Sequence, residues 1–103
     1  DVEAEAQALL RAEHGTALAS EVVKVPHHGS WNFDQAFVEA VAADHGLISC
    51  GEDNDFGHPH QEAIDAWLGV GTTLCRTDLS GNVTATIDAA GEVTFDCADP
   101  IIP

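Results

Sequence analysis

Apolar residues recur along this chain with two alternating spacings, and their alternation predicts a layered α/β fold. Stretches with helical spacing alternate with short runs of β-branched and aliphatic residues, and glycine-containing turns separate them. The predicted helices are residues 1–14, 33–44 and 59–68, and the predicted strands are 21–25, 47–50, 72–77, 82–88 and 92–97. The element order is therefore αβαβαβββ, in a single domain or part of one that covers residues 1–103.

Each predicted helix carries an apolar face that should turn toward the sheet. In chain order the faces are Val2, Ala6, Leu9 and Leu10; Phe33, Phe37, Ala40 and Val41; and Ala63, Ile64, Trp67 and Leu68. Asp1 suits the N-cap of the first helix, because its carboxylate accepts from free backbone N–H groups. Pro59 suits the first turn of the third helix, where a missing N–H costs nothing.

Charge excludes one large class of partners. The chain has 18 acidic and 3 basic residues, which gives a net charge of -15. Nonspecific affinity for nucleic acid comes from Lys and Arg, so we expect that the chain itself is not a general nucleic-acid binder. No run of apolar residues is long enough to span a membrane, and the apolar content of 45% is typical of a globular protein.

The three cysteines leave two interpretations open. Cys50, Cys75 and Cys97 lack the CxxC spacing of a zinc ribbon. Cys75 and Cys97 lie in predicted C-terminal strands, and an oxidising compartment would allow a disulfide between them. Three buried, reduced thiols are the alternative.

Two histidine segments are the strongest candidates for chemistry. Pro26-His27-His28-Gly29-Ser30 follows one predicted strand, and Gly57-His58-Pro59-His60 lies beyond the next. In α/β folds the carboxyl ends of buried strands are where metal or phosphate chemistry is placed. His60 should face solvent, because its spacing from His58 does not put both side chains on one helical face.

The order of these short motifs resembles the C-terminal half of a metallo-β-lactamase-fold domain, of the type found in the ComEC/Rec2 family of DNA-uptake (competence) proteins. The similarity covers nearly the whole chain. The matching segments are Asp1–Glu3, the PHHGS of Pro26–Ser30, Ser49–Gly51, Asn54, the GHP of Gly57–Pro59, and the RTD of Arg76–Asp78 with Gly81.

The resemblance implies a sandwich of two sheets flanked by helices, with two metal ions at one edge that activate a bridging water. The family's HxHxDH motif, which supplies most of the metal ligands, is absent from this sequence. We therefore expect a partial domain, truncated before residue 1, that needs the N-terminal half of the same domain. A divalent metal, Zn or Mn, is expected in the parent protein, and this chain alone would be catalytically inert and metal-free.

By the same resemblance, Asp1 and His27 are candidate metal ligands. Asp1 is similar to a carboxylate that bridges the two cations, with a simple N-cap as the alternative. His27 is similar to the family's last metal-bound imidazole. A hydrogen bond from its ring to a loop carbonyl is the alternative.

The resemblance gives four further residues a part in catalysis or substrate binding. His28 would orient a neighbour or contact a phosphate, and His58 would contact the scissile phosphate or donate a proton. Ser30 and Asn54 are candidate substrate-binding residues. Ordinary loop and turn structure is the alternative for all four, and packing is the expected role of Trp31 and Trp67.

The parent is thus expected to be a metal-dependent phosphodiesterase or nuclease that meets DNA during uptake. It would be an integral membrane protein, with this domain in solution on the extracytoplasmic side. A second hypothesis, from a different class, is a non-catalytic module that associates with itself as a homo-oligomer, because half a sandwich leaves an apolar face uncovered. A small-molecule esterase is a third hypothesis, since one fold hosts many hydrolases.

Overall fold

The computed structural model describes residues 2–103, and it arranges them as helices on a small parallel sheet followed by a separate hairpin. Asp1, including its predicted capping role, lies outside the described residues. The elements are α1 (Ala4–His14), β1 (Val22–Lys24), α2 (Gln35–Val41), β2 (His45–Ile48), α3 (Gln61–Gly69), β3 (Thr73–Arg76), α4 (Thr77–Ser80), β4 (Thr84–Ile87) and β5 (Val93–Asp96). None of these helices is long and apolar enough to cross a bilayer.

The observed element order confirms a mixed α/β fold and adds one element to the predicted order. A single helical turn, α4, lies between β3 and β4, where a direct connection was expected. It ends at Gly81, whose N–H donates to the carbonyl of Thr77 at 3.0 Å. Four residues are too few to show a helical apolar period, so the pattern could not reveal this turn.

β1, β2 and β3 form a parallel sheet in sequential order. Parallel neighbours need crossover connections, and α2 and α3 supply them. In register, Val22 pairs with His45 and His45 with Thr73. Because parallel strands end at the same edge, this register brings the loops after β1 and β2 together.

The core lies between one face of this sheet and the helices. Its members, nearly all apolar and almost fully buried, are Val25, Phe37, Val38, Val41, Ala43, Ile48, Ile64, Trp67 and Leu74. Gly46 in β2 leaves room for its neighbours, because a Cβ there would lie 2.8 Å from Leu74 Cδ2 and would force that side chain to move. Trp67 is 1% exposed, which fits its predicted packing role.

The predicted apolar face of α1 is only partly correct, since Leu10 alone among its four residues packs against the core. Leu9 is 65% exposed, and the buried residue of this helix is Gln7. The Gln7 amide accepts from the Asp34 N–H at 2.8 Å and donates to the Val2 carbonyl at 3.0 Å. Arg11 Nε donates to Asp34 Oδ2 at 3.1 Å. Besides the contact of Leu10 with the core, the helix therefore docks through polar contacts to the segment before α2, which a search for apolar periodicity does not detect.

Helix starts and faces differ from prediction elsewhere as well. α3 begins at Gln61 with His60 as N-cap, so Pro59 precedes the helix instead of opening it. α2 is shorter than predicted and buries Val38 together with Phe37 and Val41. The Asp34 carboxylate accepts from the Phe37 N–H at 3.1 Å and caps this helix, which begins at Gln35, two residues later than expected.

β4 and β5 form an antiparallel hairpin apart from the parallel sheet. A disulfide joins Cys75 of β3 to Cys97 just beyond β5, so the first of the two interpretations of the cysteines is confirmed. Phe95 also stacks on His45 of β2, with ring centroids 5.0 Å apart. Beyond the hairpin, Ile101 pairs with Leu74 through two backbone hydrogen bonds.

Candidate functional site

Four histidines from two loops meet at the carboxyl edge of the parallel sheet. The first histidine loop, Pro26–Ser30, follows β1, and the second, Gly57–His60, leads into α3. His58 lies 5.4 Å from His27 and 5.8 Å from His28 between ring centroids. His60 lies 4.9 Å from His58. We call His27, His28, His58 and His60 the imidazole cluster.

The backbone of the first loop turns in an uncommon way. His27 and His28 both have left-handed backbone angles, with φ of 51° and 54°. For residues with a Cβ this conformation costs about 1–2 kcal/mol each, so the surrounding contacts must hold it. The two consecutive left-handed residues turn the chain sharply where β1 ends, at the edge where His58 approaches.

Gly29 sets how closely the two loops approach each other. Its φ is +76°, and a Cβ there would lie 2.7 Å from Pro59 Cβ and 3.3 Å from Pro59 Cα. The Gly29 carbonyl accepts a hydrogen bond from the His60 N–H at 2.8 Å. Only glycine leaves room for this contact, so this one position controls the assembly of the cluster.

The hydrogen bonds of two imidazoles fix which nitrogen carries the proton. His28 Nδ1 lies 2.6 Å from the Ser49 carbonyl, an acceptor, so Nδ1–H donates. His60 Nδ1 accepts from the Trp31 N–H at 2.8 Å, and His60 Nε2 donates to the Phe56 carbonyl at 3.0 Å. His60 therefore links the two loops, and the prediction that it simply faces solvent is wrong.

His27 has a different environment. Its Nδ1 is buried without a hydrogen bond, and the Glu3 carboxylate oxygen Oε2 lies 3.8 Å away. The Asn32 amide donates to the same carboxylate oxygen. His45 Nδ1 shares this property, so the role of His27 as a metal ligand stays a prediction. Among residues 2–103, however, no three His, Cys, Asp or Glu side chains are placed to hold one metal ion.

The pKa of His58 is lowered from its ordinary value. Burial is the largest cause, and repulsion from the other three imidazoles adds to it, with His60 ahead of His27 and His28. A neutral His58 is therefore favoured near neutral pH, in a form that accepts a proton or a hydrogen bond. A neutral imidazole can act as a general base or accept a hydrogen bond from a ligand, whereas a protonated imidazole cannot.

Ser30 and Asn54, the two predicted substrate-binding residues, both take part in loop structure. Ser30 is buried, and its hydroxyl accepts from the Asn32 N–H at 3.1 Å. Asn54 Oδ1 accepts from the His58 N–H at 2.9 Å, and Asn54 Nδ2 donates to the His58 carbonyl at 2.7 Å. Asn54 therefore positions His58, while it also lines a recess of about 270 Å³ with His28 and His58.

The end of β3 is locked to the end of β2 beside this recess. Thr77 Oγ1 donates to the Cys50 carbonyl and accepts from the Cys50 N–H, both at 2.9 Å. Arg76 makes two hydrogen bonds to the Asp78 carboxylate, at 3.0 and 2.7 Å, which lower the pKa of Asp78. Burial, followed by the contact with Asp78, raises the pKa of Cys50 to about 11, so this thiol is a poor nucleophile at neutral pH.

Sequence reasoning missed two residues that border the cluster. Phe56 is 75% exposed and stacks on His58 at 5.6 Å with ring planes 18° apart. Trp31, predicted to pack, is 61% exposed. Phe56 follows the polar run Glu52–Asp55 and precedes Gly57, so it has no apolar neighbours in sequence. This isolation could have identified Phe56 as a surface side chain.

Curated proteins provide a comparison for this geometry. The chain is 30% identical over 67 residues to ComE operon protein 3 of Bacillus subtilis (strain 168), covering 64% of the chain and 9% of that protein. It is 32% identical over 82 residues to Competence protein ComA of Neisseria gonorrhoeae, covering 79% of the chain and 12% of that protein. The chain is similar to competence proteins. It spans about a tenth of the length of these relatives, 9% and 12%. No protein-family profile and no solved structure matches the chain.

Proposed function

We propose that this chain is part of a competence protein and serves DNA uptake, as the C-terminal segment of a metallo-β-lactamase-like phosphodiesterase or nuclease domain. The observation that carries the proposal is the approach of His58 to His27 and His28, about 30 residues away in sequence, with ring centroids 5.4 and 5.8 Å apart. The similarity to two proteins named for competence supports the biological setting.

Each residue of the site has a separate role in this proposal. His58, whose lowered pKa keeps it neutral, accepts a proton or hydrogen bonds to a phosphate oxygen. His28 is held by the hydrogen bond from its Nδ1–H to the Ser49 carbonyl, with its ring centroid 5.8 Å from that of His58. Asn54 fixes the backbone of His58, and Ser30 fixes the first loop. These contacts give orientation, which catalysis needs before any bond changes.

A divalent metal, Zn or Mn, belongs to this proposal only for the parent protein. His27, with its buried and unbonded Nδ1, would be one ligand and Asp1 another. An ion held by these residues would supply Lewis-acid chemistry and a hydroxide at neutral pH. Since residues 2–103 provide no three-ligand group, the remaining ligands would come from the N-terminal half of the domain, and the chain alone would be inactive.

The proposed placement is the extracytoplasmic side of an integral membrane protein. The Cys75–Cys97 disulfide supports this side, because disulfides persist in oxidising compartments. DNA would reach the site through the parent protein, whose basic residues must compensate for the charge of -15.

A chimera tests the proposed function. This chain would replace the aligned segment of the gonococcal relative, and transformation by added DNA would be measured. We expect the chimera to support transformation, His27→Ala and His58→Ala to abolish it, and His14→Ala, on α1 away from the cluster, to leave it intact. Transformation that is indifferent to both cluster variants would contradict the proposal, and so would metal-stimulated DNA cleavage by the chain alone.

A further inference from the structure

Two exposed aromatic side chains are attached to the imidazole cluster through one residue. The two ring nitrogens of His60 bond to the main chains of Trp31 and Phe56, at 2.8 and 3.0 Å. One side chain is 61% exposed and the other 75%, although large aromatic residues are normally buried. An imidazole that holds two exposed aromatic residues beside a candidate site indicates a binding surface more than a packing defect.

Phe56 has the geometry of a stacking surface. One of its faces lies against His58, with ring planes 18° apart, so its orientation is supported from behind. The residue also lines the recess of about 270 Å³ that contains His28, His58 and Asn54. A flat group stacked on Phe56 would carry its substituents to the mouth of that recess.

We propose that Phe56, with Trp31 as a second contact, stacks with unpaired bases of single-stranded DNA and so presents the adjoining phosphate to the imidazole cluster. This inference rests on the proposed function and adds how the substrate is held. Bases stacked inside a duplex have no free face, so the surface selects single strands. Stacking on aromatic side chains contributes about 1–3 kcal/mol per base and is tolerant of sequence.

The charge of the chain gives this binding an unusual salt dependence. Ordinary nucleic-acid binding weakens steeply with salt, because Lys and Arg contacts release counterions. This chain has 3 basic residues against 18 acidic ones, and Arg76 is already paired with Asp78. Phosphates are repelled overall, so salt screens a repulsion and does not remove an attraction. The expectation that the chain is no general nucleic-acid binder rests on its small number of basic residues for phosphate contacts. It does not conflict with this proposal, because the aromatic side chains contact bases.

The test is an NMR titration of the chain with short oligothymidylate and with an abasic strand of equal length. We expect the base-containing strand to shift the resonances of Phe56, His58 and the Trp31 side chain, and the abasic strand to leave them unchanged. Phe56→Ala should weaken binding about 5- to 150-fold, the range that the stacking energy corresponds to. Phe56→Trp should keep binding, and Leu9→Ala, which removes an equally exposed apolar side chain of α1, should have no effect.

Salt supplies the second readout. Affinity should stay constant or rise between about 50 and 200 mM salt, where phosphate-driven binding falls by orders of magnitude. The inference is overturned if the abasic strand binds equally well, if affinity falls steeply with salt, or if neither strand shifts these resonances. Failure of this inference can be distinguished from failure of the proposed function. The proposed function is tested by transformation with the His27→Ala chimera, which involves no oligonucleotide-binding measurement.

Discussion

The histidine edge of the sheet and the C-terminal hairpin are attached to the same three strands by opposite means. At the histidine edge, close backbone approach and hydrogen bonds join two loops, and Gly29, Asn54 and His60 make the decisive contacts. The hairpin is joined by a covalent bond between Cys75 and Cys97 and by the ring contact of Phe95 on His45, and the segment after it pairs with β3 through Ile101 and Leu74. The site therefore depends on shape, and the hairpin depends on the redox state of two sulfurs.

Gly29→Ala should have the largest effect on stability. The new methyl group meets Pro59 and the residue keeps a left-handed φ, so strain and overpacking together should cost about 4 kcal/mol. Gly57→Ala is the matched control, because Gly57 has a φ of +70° but open space around its Cβ direction. It should cost only about 1–2 kcal/mol. Urea unfolding measures both, and equal losses would refute the close-approach argument.

Cys97→Ser should come next, with a loss of about 3 kcal/mol, because the disulfide closes a loop of 22 residues. Stability is lost because the unfolded chain has greater conformational entropy without the cross-link. Hydrogen exchange should show that β4 and β5 lose protection while β1–β3 keep theirs. Cys50→Ser leaves the cross-link intact and serves as control. Uniform loss of protection across both sheets would mean that the hairpin and the parallel sheet unfold as one unit.

Asp78→Asn should cost less, about 2 kcal/mol, because it removes one charge from a paired and mostly buried Arg76–Asp78 contact. The folded pKa of Asp78 is lowered, so its contribution is present above the unfolded pKa of about 3.9 and is lost as pH falls through the folded pKa. Urea unfolding at neutral and at acidic pH should therefore give a smaller acid-induced loss in the variant. Asp96→Asn, exposed on β5, is the control, and an unchanged pH dependence in Asp78→Asn would exclude this pair as its source.

The sequence was sufficient to predict the part of the fold that rests on apolar periodicity. The strands at 22–24 and 73–76 and the core residues Phe37, Ile64 and Trp67 follow directly from it, whereas β2 begins at His45, two residues before the predicted start, because the predicted turn His45-Gly46 is part of the strand. It was not sufficient for α1, because Gln7 and Arg11 dock that helix through hydrogen bonds that leave no apolar pattern.

The sequence was sufficient to predict which histidines belong to the candidate site, but not which contacts hold them in place. Strand-end position identified His27, His28 and His58, since parallel strands bring their ends to one edge. The role of His60 depends on where the Trp31 N–H and the Phe56 carbonyl lie, and those are tertiary facts. Asn54 shows the same limit, because its bonds to the His58 backbone make it a positioning residue before any contact with substrate.

The most direct test of the central claim, that the two histidine loops form one site, is an NMR pH titration of the His58 imidazole. The folded pKa of His58 should lie below its ordinary value, so this group favours folding above the unfolded pKa and loses that contribution as pH falls through the folded one. In His27→Gln one repelling imidazole is gone, so the pKa of His58 should rise, while His14→Gln should leave it unchanged. An ordinary pKa that does not respond to His27→Gln would contradict the account.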